Sequence, residues 1–370
     1  MKKSLIILII TYIIGLLIFP ILVTSSNMIN YILKNPVVLF IAVLVVFLLA
    51  KIIADSITKP NKGIFRNNIN KENVPQEFED IYEELYRDNI SSLEKMRKQA
   101  RWRTVIQYAI PLLIFIVGFE NQSGVMVALI IFIALIFINS KYISKYKETY
   151  KNEIVSNFIK LIDNKLVYKS NSQELLSMEE DYKKASFDNK VFNRFYPDDY
   201  IEGMLNNEFF VKMSDLHIQH HVNSGKHSHT YEVFQGVFVQ TKCNKDIGTY
   251  IKISKNQLKM FGQKNRVEMD SQEFEKYFDI YSENKMITMQ LLTSDVMTTL
   301  IDFYNKYNIE YEIVIRDNKI YMRFFTGAMF EPKIFGNSMD KKLLFSYYCI
   351  LKFIVDVTKE VNKALKEIEI

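Results

Sequence analysis

The chain has 370 residues and very little cysteine: Cys243 and Cys349 are the only two. Two thiols cannot build a disulfide framework, and they exclude a cysteine-based zinc site. Glycine is also scarce, with 11 in the whole chain. No Gly-x-x-x-x-Gly-Lys phosphate loop, Gly-x-Gly-x-x-Gly fingerprint or Gly-x-Ser-x-Gly elbow occurs, which argues against a backbone phosphate cradle and against the α/β-hydrolase nucleophile. Forty-seven basic residues against 42 acidic give a net charge of only +5, which does not call for a nucleic-acid partner.

What the chain does have is long apolar runs. Ser4–Thr24 and Val37–Ala54 are each long enough to cross a bilayer, and the first exceeds the core of a cleaved signal. Thr104–Phe119 and Gly124–Phe137 are shorter and are separated by the polar turn Glu120–Ser123. A buried helical hairpin or a re-entrant loop is the competing reading of this second pair. Apart from Lys51 near the end of the second run, charged residues are missing from the four runs, which disfavours a transporter. Lys and Arg collect at Lys2–Lys3, between Lys51 and Arg103, and after Ser140, whereas the intervening loops carry only Lys34. The asymmetry places both termini in the cytoplasm, with four transmembrane α-helices in two hairpins.

The organisation expected is therefore a first hairpin over residues 1–54, a linker and amphipathic helix over 55–103, a second hairpin over 104–139 and a cytoplasmic α+β domain over 140–370. Pro75 opens the amphipathic helix, whose apolar stripe starts with Phe78, Ile81, Tyr82 and Leu85. That helix is expected to pack on the C-terminal domain. In the domain, Glu208–His221 pairs with Thr230–Cys243, and Tyr311–Ile315 with Ile320–Phe325, as antiparallel hairpins. Helices are expected near Tyr146–Ile162, from Ser172 to about Lys184, from Thr293 to Tyr307 and from Asp340 to Lys366. Strands and helices do not alternate, so α+β fits better than a doubly wound sheet.

Several stretches resemble a bacterial membrane protein family, the domain of unknown function 3137. They are FQGVF (Phe234–Phe238), VEMDSQEFEKYFDIYSEN (Val267–Asn284), IYMRFF (Ile320–Phe325) and FEP (Phe330–Pro332), with the upstream helix Phe78–Gln99. The resemblance runs from Phe78 to the C-terminus and leaves the first hairpin outside. After the EFEKYFDIY stretch the family has an Asp-Gln pair and a Glu-Ala-Arg-Tyr-like run, where this chain has Asn284–Gln290. The resemblance implies the architecture and a bacterial inner membrane, and it implies no reaction.

Three groups of residues are candidates for chemistry. All five histidines fall between His217 and His229. His217, His221, His227 and His229 at a hairpin tip form a candidate site for a divalent transition metal, with Asp215 or Glu232 as a carboxylate ligand. A solvated hairpin end is the plainer reading. The run Glu268, Asp270, Glu273, Glu275, Asp279 and Glu283 offers an acid/base pair, although interleaved aromatics read more simply as an amphipathic element. Cys243 is the better of two poor nucleophile candidates, since Cys349 has no base nearby in sequence.

A protein rich in aromatics and poor in motifs points away from catalysis, toward a membrane-anchored interaction or scaffold module with a protein partner or a second copy. The alternative is a sensor or enzyme at the cytoplasmic face that binds a lipid, a small ligand or a metal.

Overall fold

The computed structural model describes residues 74–117, 122–170, 172–188, 190–224, 227–256, 265–335, 337 and 339–368. Its helices are α1 (Gln76–Val117), α2 (Gln122–Thr149), α3 (Ser156–Ile162), α4 (Ser177–Ala185), α5 (Gln272–Tyr277), α6 (Lys285–Leu291), α7 (Ser294–Tyr307) and α8 (Lys341–Glu367), with a π-turn, Tyr150–Val155, joining α2 to α3. The strands are β1 (Leu166–Lys169), β2 (Arg194–Leu205), β3 (Phe209–Ser224), β4 (His227–Lys242), β5 (Ile251–Lys255), β6 (Arg266–Val267), β7 (Phe278–Ser282), β8 (Tyr311–Arg316) and β9 (Lys319–Phe324). The chain divides into two units, one of residues 91–147 with 333–338 and the other holding the sheet.

The sheet unit is α+β, as expected from the irregular order of its elements. Nine strands run in the order β1-β2-β3-β4-β9-β8-β5-β7-β6, and their pairings are antiparallel. Side chains alternate across a strand, and here both faces are covered. On one face Met178, Tyr182 and Ala185 of α4 bury Tyr200, Leu216, Phe238, Val314 and Tyr321. On the other, Phe353 of α8 stacks on Phe303 of α7 at 3.9 Å and meets Tyr311 and Phe324 edge-on at 5.0 and 5.9 Å. Such pairs add orientation to the area they bury.

Local signals place several helix starts. Thr293 accepts from Val296 N, Asn284 from Ile287 N, and Asp340 from Lys342 N, each satisfying a backbone donor that the first turn leaves free. The first turns of α1 pack on α8 as expected: Phe78 meets Phe345 at 4.9 Å, Glu77 accepts from Tyr348 and Lys352, and Glu79 pairs with Lys341.

The other unit contains the rest of α1 and nearly all of α2. Asn139 Nδ2 donates to Gln107 Oε1 at 2.9 Å and to Arg103 O at 3.0 Å, Tyr108 meets Phe132, and the Arg103 guanidinium lies 3.6 Å over the Tyr142 ring. These contacts hold the two helices side by side as a hairpin. The expectation of four spans is met only in part. Among the described residues one helix, Gly124–Ile162, is long and apolar enough to cross a membrane. Thr104–Val117 forms the end of a 42-residue helix that carries Pro111. The spans Ser4–Thr24 and Val37–Ala54 lie outside the described residues.

Candidate functional site

Three irregularities of the backbone meet at one cluster of charges. The first is the π-turn, a rare wide turn frequent at functional sites, which carries Lys151. The second is a bulge in β2: the register jumps from Asp198 opposite Asp215 to Tyr200 opposite Ser214, leaving Asp199 as the extra residue at φ +55°. Asp tolerates that left-handed conformation better than most residues. The third is the segment after β9, where Phe330 sits at φ +55° and is followed by Glu331.

Lys151 Nζ donates to Asp198 Oδ2 at 2.7 Å and to Asp199 Oδ2 at 3.0 Å, and lies 3.4 Å from Glu331 Oε1. Tyr168 on β1 donates its hydroxyl to Asp199 Oδ1. One strand away, Asp215 Oδ2 accepts the Met329 N–H at 2.7 Å, while Tyr347 of α8 accepts the Phe330 N–H at 2.8 Å. The Phe330 ring rests 4.4 Å from Tyr347. Asp199 and Asp215 are almost completely buried. Burial pushes the Asp199 carboxyl up to about 7, against the pull of Lys151, with the Asp198 charge adding to the rise. Burial, together with the Asp199 charge, holds Asp215 well above the usual carboxylate range, although the Met329 amide opposes it.

Among the described residues, Asp198, Asp199 and Glu331 are the group of three metal-type side chains whose ligand atoms all lie within 4.8 Å of one another. The Lys151 ammonium occupies the place a cation would take. The arrangement is therefore a clasp: one amine neutralises carboxylates from two separate segments, and it holds a helix, a bulged strand and a loop together.

The described candidate histidines are divided between the two faces of the hairpin. His217 and His221 share a face of β3, as expected. His229, however, lies opposite Val222 while His221 lies opposite Thr230, so successive pairs alternate and His229 falls on the other face. The side chain of His227 lies outside the described residues. His217 Nε2 is 3.0 Å from Gln219 Nε2 and 3.7 Å from Glu232, and His221 Nδ1 is 3.0 Å from the Thr230 hydroxyl. Asp215 points into the clasp instead of joining them.

The acidic run is organised around one arginine. Arg266 Nε donates to buried Asp279 at 2.9 Å, with Glu275 and Glu268 at 3.6 and 3.8 Å, and Glu275 also accepts the Met269 N–H. Asp270, Glu273 and Glu283 are exposed. Both cysteines are buried, and burial pushes each thiol up to about 12, which leaves almost no thiolate at neutral pH. Arg323, from the IYMRFF stretch, is buried in a second network: it donates to Glu312 at 2.7 Å, to Tyr182 at 2.6 Å and to Asp188 at 2.9 Å.

Sequence reasoning did not single out Lys151, Asp198 and Asp199 as a site. Lys151 counted only as a flanking charge, and the two aspartates lie in an unassigned stretch. Glu331, inside the FEP motif, was the one visible signal.

No protein of curated function matches the chain. A crystal structure of the mycobacterial trehalose monomycolate transport factor A aligns over 61% of this chain and 96% of that one, at 7% identity and a TM-score of 0.32. The model of the family described as Protein of unknown function (DUF3137) matches residues 232–363. That range holds the FQGVF, IYMRFF and FEP stretches, so the chain resembles this family across β4 to α8.

Proposed function

We propose that the chain is a multi-spanning inner-membrane protein, both termini in the cytoplasm, whose α+β domain serves as a protein-interaction or scaffold module held at the cytoplasmic face. The observation that carries the membrane reading is the bareness of α2: only 11% of its apolar window is buried. Ile130 and Phe137 are 60% and 71% exposed. A core helix of a soluble domain hides such residues, and so large an exposed aliphatic surface needs lipid or protein around it. The polar Asn139–Gln107 pair faces inward between the helices, where membrane hairpins keep their polar side chains. Lys141, Lys145 and Lys147 on one helix and Arg97, Lys98 and Arg101 on the other flank the same end of the hairpin, and basic flanks stay cytoplasmic.

The scaffold reading rests on the domain's own chemistry. Among the described residues its buried charges are ion-paired or hydrogen-bonded, its thiols are buried, and His229 lies on the face opposite His217 and His221. What remains accessible is surface for contact.

The test is sided labelling of a single added cysteine, Leu176→Cys, on the exposed turn before α4, since the two native thiols are buried. A membrane-impermeant maleimide is expected to label it in inverted vesicles and not in intact spheroplasts. Labelling in spheroplasts, or release of the chain by alkaline carbonate, would overturn the membrane assignment.

A further inference from the structure

β4 is much longer than the strand beside it. It pairs with β3 from Thr241 out to His227, but with β9 only over Val237–Lys242. Among the described residues no strand lies along the other edge of β4 from His227 to Phe234. In an antiparallel ladder, alternate N–H and C=O groups point to that side. Natural sheets blunt such edges with lysine, proline or short strands. Ser228-His229-Thr230-Tyr231-Glu232-Val233-Phe234 contains no lysine, arginine or proline, and only one residue of fixed charge. It is rich in the β-branched and aromatic types that favour pairing, and Ser228 to Glu232 are exposed.

Where β9 leaves β4, a cleft opens in the line a further strand would follow. Gly236 marks the departure: at φ +153°, a Cβ there would lie 1.9 Å from Phe324 O. Beyond it Thr326 N turns back onto Phe324 O, and Gly327 N makes a last contact with Gln235 O at 3.3 Å. The cleft beside this point holds about 480 Å³, with Phe234 and Phe325 on its apolar side and Glu232, Glu310 and Lys255 around it. Lys255 pairs with Glu310 at 3.1 Å, which leaves the acidic groups in excess. A second bulge, at Val233, lies at the base of the free stretch.

We infer that this edge pairs with the same edge of a second copy, antiparallel about a two-fold axis near Tyr231. The inference rests on the interaction-module reading and names its partner. An isologous pairing must bring the tip of each arm beside the base of the other. Here the tip carries His229 and the base carries the acidic, aromatic cleft, so the two ends complement each other. With the axis at Tyr231, each Glu232 lies opposite a Thr230, and no like charges are opposed. His229, on the free stretch of β4, acquires a role as a contact residue.

The test uses the full chain in native membranes, with single cysteines at Ser228, Thr230, Tyr231 and Glu232 and mild copper–phenanthroline oxidation. Facing strands hold paired Cα atoms about 4.5–5.5 Å apart, within reach of a disulfide. A two-chain adduct is expected, strongest at Tyr231→Cys, weaker on both sides, and absent for Leu176→Cys. Adding Tyr231→Lys to the Thr230→Cys chain opposes two charges at the axis and should cut its adduct at least tenfold. No self-adduct at any of the four positions would overturn the inference. If the same cysteines instead joined a different protein, self-pairing would fail while the interaction-module reading survived. Adducts with neither would remove both.

Discussion

At the scale of single residues, the clasp shows how charge is tolerated inside this domain. Lys151 is one cation among carboxylates from two segments, and its removal leaves Asp199 buried without it. Breaking a buried pair from one side costs about 3–5 kcal/mol, because the remaining charge is stranded. Lys151→Ala is expected to lose stability on that scale. It also vacates a position ringed by three carboxylates within 4.8 Å of one another, a donor set suited to a hard cation. Millimolar Ca²⁺ should therefore raise the thermal midpoint of the variant and leave the parent chain unmoved, as read by near-ultraviolet circular dichroism in detergent micelles. Equal response of the two chains would sink this account of the cluster.

Asp199 also predicts a dependence on pH. Its carboxyl titrates near 7 in the folded chain against an ordinary value of 3.8. Between those values the folded state holds a proton that the unfolded state has lost, so its contribution to stability is complete below about 4 and falls away as the pH rises through 7. Asp199→Asn removes that titration and tolerates the same left-handed backbone. Its stability should decline less steeply than the parent's between pH 4 and 7 in chemical denaturation. An unchanged slope would place the titrating group elsewhere. Beyond Glu331 in the FEP motif, none of this was legible in the sequence, because Lys151, Asp199 and Glu331 come from distant segments and the helical periodicity across Tyr150–Val155 gives no sign of a π-turn.

At the scale of elements, what could be read was whatever carried its own pattern. The β3–β4 and β8–β9 hairpins are runs rich in β-branched and aromatic residues on either side of polar turns, and α7 and α8 combine caps with apolar stripes. β2 escaped detection because Pro197, Asp198, Asp199, Glu202 and Gly203 are poor strand formers. It exists because β1 and β3 pair with it on both sides, a tertiary cause that no local window contains. FQGVF illustrates the reverse: the motif was visible, but its reason is the crossing of β4 and β9 at Gly236. A side chain there would collide with the Phe324 carbonyl in a conformation that already favours glycine. Gly236→Ala is expected to destabilise the domain by about 3 kcal/mol. Alanine at Gly248, where a Cβ meets nothing within 4 Å, carries only the backbone strain of its positive φ and should cost less. Thermal midpoints of the two variants decide the point, and a larger loss at Gly248 would contradict the crossing argument.

At the scale of the whole molecule, the same residue types do opposite jobs in the two units. In the sheet unit most isoleucine, valine and phenylalanine side chains are buried; along α2 most face outward. Burial against protein and solvation by lipid make different demands on a substitution. In the sheet unit a buried isoleucine lost leaves a cavity, whereas on an α2 solvated by lipid, as proposed, only polarity would matter. Ile130 and Ile133, both strongly exposed, separate the two cases. Exchange for alanine should leave the chain in the membrane fraction, since no packed neighbour is lost. Exchange of both for aspartate places charge near the middle of the apolar run, at about 3 kcal/mol for each residue. That pair of changes should move the chain into the carbonate-soluble or degraded fraction. Val191→Asp, on a strongly exposed residue of the sheet unit, should change nothing. If the double aspartate chain remained as resistant to carbonate as the parent, the exposed face of α2 would not be solvated by lipid, and a protein surface would have to cover it instead.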